Sequence, residues 1–243
     1  MAFERYRFCE FLLPMDRDLL LEAAEAAGTY EETAIVEVEC GLGAGISLIA
    51  KTYGCGGLGV DPREGLIAQA IRRAVRLGVS EQVSFVARPM DDLGIGVAQF
   101  DVGLHIGSSA ALGEEGARQF REALAEDSAM ILAEPVWLEE KAEGLAARFL
   151  EPEAILEADQ QIRAYEKSGW EVVFCETVPE DEWRRFDDAL LKGLRLELAA
   201  YETWPERVEE LHRVMAAVEH FHEAGGPRRV GIMVSVLEHK GGW

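Results

Sequence analysis

The stretch Thr33–Asp61 constrains this chain more than any other. An apolar run, Thr33–Val38, carries Glu37 near its end. A glycine-spaced turn follows, Glu39-Cys40-Gly41-Leu42-Gly43. Then come a helix-like run, Ala44–Tyr53, and a second short apolar run, Leu58–Val60, that ends in Asp61. Strand, tight loop, helix, strand, acid is the order in which an open α/β sheet holds an adenosine-bearing cofactor.

The alternation continues beyond this unit. Residues 6–28 carry apolar side chains at three- and four-residue spacings, which predicts a helix ended by Gly28. Pro62 falls at an expected first helical position, and Leu66, Ile67, Ala70, Ile71, Ala74 and Val75 form the core stripe of the helix behind it. Val83–Ala87, Phe100–Leu104, Ala129–Ala133 and Glu171–Cys175 read as strands, with helices expected over Glu114–Ala125 and Pro152–Ser168. After Pro179 the strand signal stops. Two amphipathic stripes follow, one from Trp183 to Tyr201 and one from Val208 to Phe221, before the final strand Val230–Leu237. The expected fold is therefore α/β and Rossmann-like: an open, mostly parallel seven-stranded sheet with helices on both faces and a helical insert between the last two strands. We read one domain: an N-terminal helical region (1–32), a cofactor-binding core (33–178), the insert (179–226) and the final strand (227–243). The insert needs a surface to cover its stripes, either the chain's own cleft or a second copy in a homodimer.

Composition narrows the partners. Acids outnumber bases 45 to 24, a net charge of −21, which argues against nucleic acid, whose affinity comes largely from Lys and Arg on phosphates, and against anionic membranes. No leading apolar run or membrane-length segment is evident. The four cysteines, Cys9, Cys40, Cys55 and Cys175, are scattered without CxxC spacing; zinc and disulfide frameworks are not expected, and a reducing cytoplasm fits. His212, His220 and His222 share one expected helix but not one face, so no metal site is read there.

The glycine loop admits two patterns. In G-x-G-x-x-G, starting at Gly41, Ile46 stands where the third glycine belongs. In acid-x-G-x-G-x-G, Glu37 to Gly43 fits with one departure, Glu39. This second pattern resembles the first motif of the class I S-adenosylmethionine (SAM)-dependent methyltransferases. Asp61, 18 residues after Gly43, matches the acid ending the second strand. The Val83–Leu93 segment, Phe100-Asp101-Val102, Leu132-Ala133-Glu134-Pro135 and the run from Lys167 to Val173 resemble later motifs. The resemblance implies SAM as cofactor, held by Glu37, Glu39, Gly41, Gly43 and Ile106. It implies the Asp61 carboxylate on the ribose hydroxyls, and Met90 and Asp91 at the adenine. Asp61 also precedes Pro62, where it would cap a helix; the two roles are compatible. Glu39 either faces the cofactor's ammonium group or turns to solvent or a lysine. Pro89 stands where the family often has an adenine-binding acid.

Methyl transfer from a sulfonium is an in-line displacement by an already activated donor, so the protein mainly aligns and desolvates. His105, at the carboxyl edge of the fourth strand, is the candidate base; a pocket-shaping histidine is the plainer reading. Ser108, Glu134 and Trp137 sit at the same edge and are the candidate substrate contacts. The expected activity is methyl transfer to a small molecule. The alternatives are a non-catalytic relative used as a binding or scaffold module and, with Ile46 against it, an NAD(P)-dependent oxidoreductase.

Overall fold

A computed structural model describes residues 4–107, 112–142, 144–149 and 152–239. In chain order the elements are α1 (Arg17–Ala26), β1 (Ala34–Val38), α2 (Ala44–Tyr53), β2 (Gly56–Asp61), α3 (Glu64–Leu77), β3 (Val83–Ala87) and β4 (Phe100–Ile106). They continue with α4 (Gly113–Glu122), β5 (Leu124–Trp137), α5 (Ala158–Lys167), β6 (Trp170–Thr177), α6 (Glu180–Ala200), α7 (Pro205–Glu223), α8 (Gly226–Arg229) and β7 (Val230–His239).

The strands form one sheet in the order β3-β2-β1-β4-β5-β7-β6. The first five pair in parallel; β7 runs antiparallel to both β5 and β6. The chain winds outward from β1 to β3, then returns to β4 on β1's other side. Between the carboxyl ends of β1 and β4 the winding reverses, and a crevice opens there. Alternate residues of the central strands feed two core layers: Ile35, Leu104 and Ile131 on one face, Val36, Val38 and Leu132 on the other.

Three expected elements differ. The helix expected over 6–28 is only α1, preceded by a short 3-10 turn at Glu4–Tyr6. Pro14 disfavours helix at the residue before it, and Asp16 starts α1 by accepting the Leu19 amide at 2.8 Å. Phe11 and Met15 are buried all the same, so their spacing reflected core burial without a helix. Pro62 is not the first helical residue; Arg63 is the N-cap and α3 begins at Glu64. The stretch expected as a helix over Pro152–Ser168 is a 3-10 turn at Pro152–Ala154 and then α5, which a capping box between Glu157 and Gln160 begins.

Helices α6 and α7 lie between β6 and β7 and cover much of each other's apolar stripe. Leu190, Leu194, Leu211 and Val218 share a core cluster with Cys9 of the N-terminal segment. Leu196 and Trp204 stay exposed. The N-terminal segment is seated on α6 at Gly193, where an added Cβ would lie 2.0 Å from the Arg5 carbonyl oxygen. Around that seam Arg5 Nε donates to the buried Glu197 carboxylate at 3.3 Å, and Lys192 Nζ stands 4.1 Å above the Phe8 ring. Among the described residues no helix is long and apolar enough to cross a membrane.

Gly193→Ala tests the seam. In an unobstructed helix interior this change stabilises by about 1 kcal/mol. Here it should destabilise by ~1–3 kcal/mol, because backbone must shift to admit the methyl group. Urea unfolding measures the sign, and a more stable variant would show that the segment does not pack this closely.

Candidate active site

The crevice at the β1/β4 switch is a cleft of about 1000 Å³, open to solvent. Its floor is the end of β1 and the glycine loop, with Glu37, Glu39 and Gly41, together with Ile106 and Gly107 at the end of β4. Tyr6, Phe11, Leu12 and Leu13 of the N-terminal segment roof it, and Arg63, Arg148 and Phe149 close the sides. Ala44 and Gly45 line it at the start of α2, where first-turn amides have no intrahelical partner and the helix dipole favours negative charge.

The glycine loop takes its shape from two positions. Gly41 has φ 53°, and its amide donates to Asp61 Oδ2 at 3.0 Å. Gly43, the N-cap of α2, has φ 65°. A Cβ there would stand 2.6 Å from Phe85 and 2.7 Å from Ala70, so Gly43 permits α2 to pack on α3 and β3 and does not itself line the cleft.

Glu37 is buried, and its Oε2 accepts the Ile46 amide at 3.0 Å. Burial pushes its carboxyl up to about 8; the charge of Asp61 adds to the rise, and the Ile46 amide and Arg73 oppose it. At neutral pH Glu37 is therefore mostly a neutral acid.

Glu39 holds φ 52° without being glycine, a left-handed conformation that costs an L-residue roughly 1–2 kcal/mol. Its side chain turns neither to solvent nor to a lysine. Oε2 lies 3.1 Å from His105 Nε2. His105 is fully buried and does not line the cleft, and its Nδ1 has no partner among the described residues. With Glu39 ionised, Nε2 carries a proton and donates it to the carboxylate. Lone pairs facing the cleft thus belong to Glu39. The arrangement matches the pocket-shaping reading of His105 better than the base.

Asp61 is fully buried, and its acceptors are taken. Oδ1 accepts the Arg63 backbone amide at 2.9 Å and Arg63 Nε at 2.8 Å; Oδ2 accepts Arg63 Nη2 at 2.7 Å and the Gly41 amide. Asp61 sits behind the cleft wall, and Arg63 is the residue that faces the cleft.

The other sequence candidates separate from the cleft. Met90 packs in the second core layer, and the Asp91 carbonyl accepts from Gln119 of α4 at 2.9 Å; neither lines the cleft. Glu134 points to α5, where Tyr165 Oη donates to it and Gln161 Nε2 donates at 3.1 Å. Trp137 is buried in the core. Ser108 lies outside the described residues. Among the described residues no group of three His, Cys, Asp or Glu is placed to hold a metal ion.

Sequence reasoning missed Arg63, Arg148 and the roof. Arg63 was findable, two residues beyond Asp61. Arg148 gave no local signal. Its guanidinium is fixed by Asp187 of α6, at 2.9 and 2.5 Å, and stacks 4.5 Å from the Phe221 ring and 5.2 Å from Trp183. His222 completes the cluster, 2.8 Å from Asp187.

Glu37 makes a pH prediction. Its folded-state value lies above the ordinary 4.5, at about 8. The stability it contributes as a neutral acid is full below about pH 4.5 and is lost as pH rises through about 8, because the unfolded chain ionises first. Glu37→Gln should flatten the stability–pH curve across that window in urea unfolding at a series of pH values. Parallel curves for the two proteins would mean that Glu37 is ionised when folded.

No protein-family model matches the chain. It is 29% identical over 176 residues, 69% of each chain, to the uncharacterized protein YjhP of Escherichia coli K12. The solved YjhP structure superposes with a TM-score of 0.85 over 98% of both chains at 21% identity. SAM-dependent methyltransferases from Thiobacillus denitrificans and Geobacter sulfurreducens, each solved with S-adenosyl-L-homocysteine, superpose equally well. Their TM-scores are both 0.85, at 21% and 20% identity, over 98% of this chain and 97% of each of theirs. The chain has the fold of the class I SAM-dependent methyltransferases.

Proposed function

We propose that the chain binds SAM in this cleft and catalyses transfer of its methyl group to a small-molecule acceptor. The observation that carries the reading is the charge arrangement of the cleft. Arg63 is neutralised by Asp61, Arg148 by Asp187, and Glu37 is mostly protonated. Glu10 faces Arg73 and Arg17 at 3.6 and 3.8 Å. Glu37 apart, among the described lining residues Glu39 is the carboxylate without an Arg or Lys ion pair; it meets His105 Nε2 at 3.1 Å, on the glycine loop, where a cationic ligand would lie. SAM supplies an activated methyl group on a sulfonium and an ammonium group of its own. The start of α2 at Ala44 and Gly45 suits a ligand carboxylate, and Glu39 suits the ammonium.

The chain's own contribution is alignment and exclusion of water. The aromatic and aliphatic side chains of the roof, Tyr6, Phe11, Leu12 and Leu13, desolvate the space above the loop, and Ile106, Gly107 and Pro135 add no charge of their own. The ribose is the point of friction. For its hydroxyls to reach Asp61, the Arg63 guanidinium must turn away. That saturation favours one second reading, a methyltransferase-like module that no longer takes the cofactor. A cytoplasmic setting belongs to the same proposal, since all four cysteines are free thiols.

Calorimetric titration with SAM, with NAD as control, separates the readings: saturable SAM binding and no NAD binding are expected. Tight NAD binding alone would end the methyltransferase reading, and binding of neither would favour the cofactor-free module. Two variants then pull in opposite directions. Asp61→Ala should weaken SAM by roughly ten- to a thousandfold, from the loss of two charge-assisted hydrogen bonds. Arg63→Ala should tighten it severalfold while lowering the melting temperature. Weaker SAM binding by Arg63→Ala would make Arg63 a cofactor ligand instead of a competitor.

A further inference from the structure

A second hollow, open to solvent, shares Tyr6 and Leu42 with the lining of the cleft. Arg7 of the N-terminal segment and Arg72, Arg73 and Arg76 of α3 line it. Composition does not account for this gathering, since acids outnumber bases 45 to 24 in the chain. Arg72 and Arg76 are exposed and have no carboxylate partner among the described residues. They stand at i and i+4 on one helix, a spacing at which like charges disfavour the helix.

Arg73 is largely buried. Its Nη2 donates to the Glu10 carbonyl oxygen at 3.0 Å and its Nη1 lies 3.6 Å from the Glu10 carboxylate. Burial lowers its guanidinium below the ordinary range; the charges of Arg76 and Arg17 add to this, and Glu10 and Glu37 oppose it. Among the described residues, then, Glu10 meets Arg73, while Arg72 and Arg76 line the same hollow with no carboxylate of their own.

We propose that this cavity is a binding site for a small phosphate-bearing anion, separate from the cofactor cleft. Guanidinium groups bind phosphate oxygens bidentately, and several converging on one hollow match a tetrahedral oxyanion better than a single carboxylate. The hollow shape and the net charge of −21 favour a small anion over a nucleic-acid backbone, which needs a basic surface extended over many phosphates.

The test is calorimetry on the full chain at low ionic strength with sodium pyrophosphate, with inorganic phosphate and a single-stranded oligonucleotide as further arms. Pyrophosphate should bind saturably at one site, and the double variant Arg72→Ala/Arg76→Ala should weaken it about tenfold or more. Both side chains are exposed, so a melting curve close to wild type is expected. SAM affinity should be unchanged in the variant, which makes the result independent of whether the cleft takes SAM. Absence of saturable binding, or equal binding by the variant, would overturn the site. An oligonucleotide that binds more tightly than pyrophosphate and is lost in the variant would overturn the small-anion reading. Parallel loss of SAM and pyrophosphate would show that the cavity is not separate.

Discussion

The carboxylate of Asp61 holds three parts of the molecule together. It takes the Gly41 amide from the loop after β1, the Arg63 amide from the turn into α3, and the Arg63 guanidinium that reaches back over it. A fully buried charge is tolerable only when its lone pairs are met, and here all the contacts come from within about one βαβ unit. The clamp fixes where the glycine loop lies relative to the second strand, and so where α2 begins and which residues face the crevice. It also presets a competition, because a ligand that uses the carboxylate must replace a bidentate guanidinium.

The insert reaches the same crevice by another route. Asp187 and His222 come from α6 and α7, yet through Arg148 they help set one wall of the cleft. Arg148 is held between a carboxylate and two aromatic rings, so its position depends on both helices. The insert and the glycine loop are therefore parts of one site, although more than a hundred residues of chain separate them.

Much of this was legible in the sequence where the signal was local. The run Thr33–Asp61 gave β1, α2 and β2 within a residue or two, because apolar strands and glycine turns are short-range patterns. The seven-stranded order of alternation was readable for the same reason. The roof was not: Phe11 and Met15 follow a helical spacing, and only Pro14 and the Asp16 cap show that the backbone does something else. Glu134 and Trp137 were read as cleft residues from their place after the fifth strand, but β5 continues to Trp137 and carries both into packed surroundings. Glu39 stood out as a departure from a glycine pattern, whereas its partner His105 could be found only by folding β4 beside β1. Pairings across distant segments leave no trace in a single sequence.

The seam at Gly193 has a consequence for how the molecule is made. The segment that roofs the cleft is made well before α6, and Arg5 meets Glu197, 192 positions later. Contacts of such long sequence separation form late, since the loop between them must close first. Until α6 has left the ribosome, the roof has no helix to sit on and the core sheet stands with its crevice uncovered. Residues that precede the core in the chain are thus placed after it, and the cleft closes only once α6 is present.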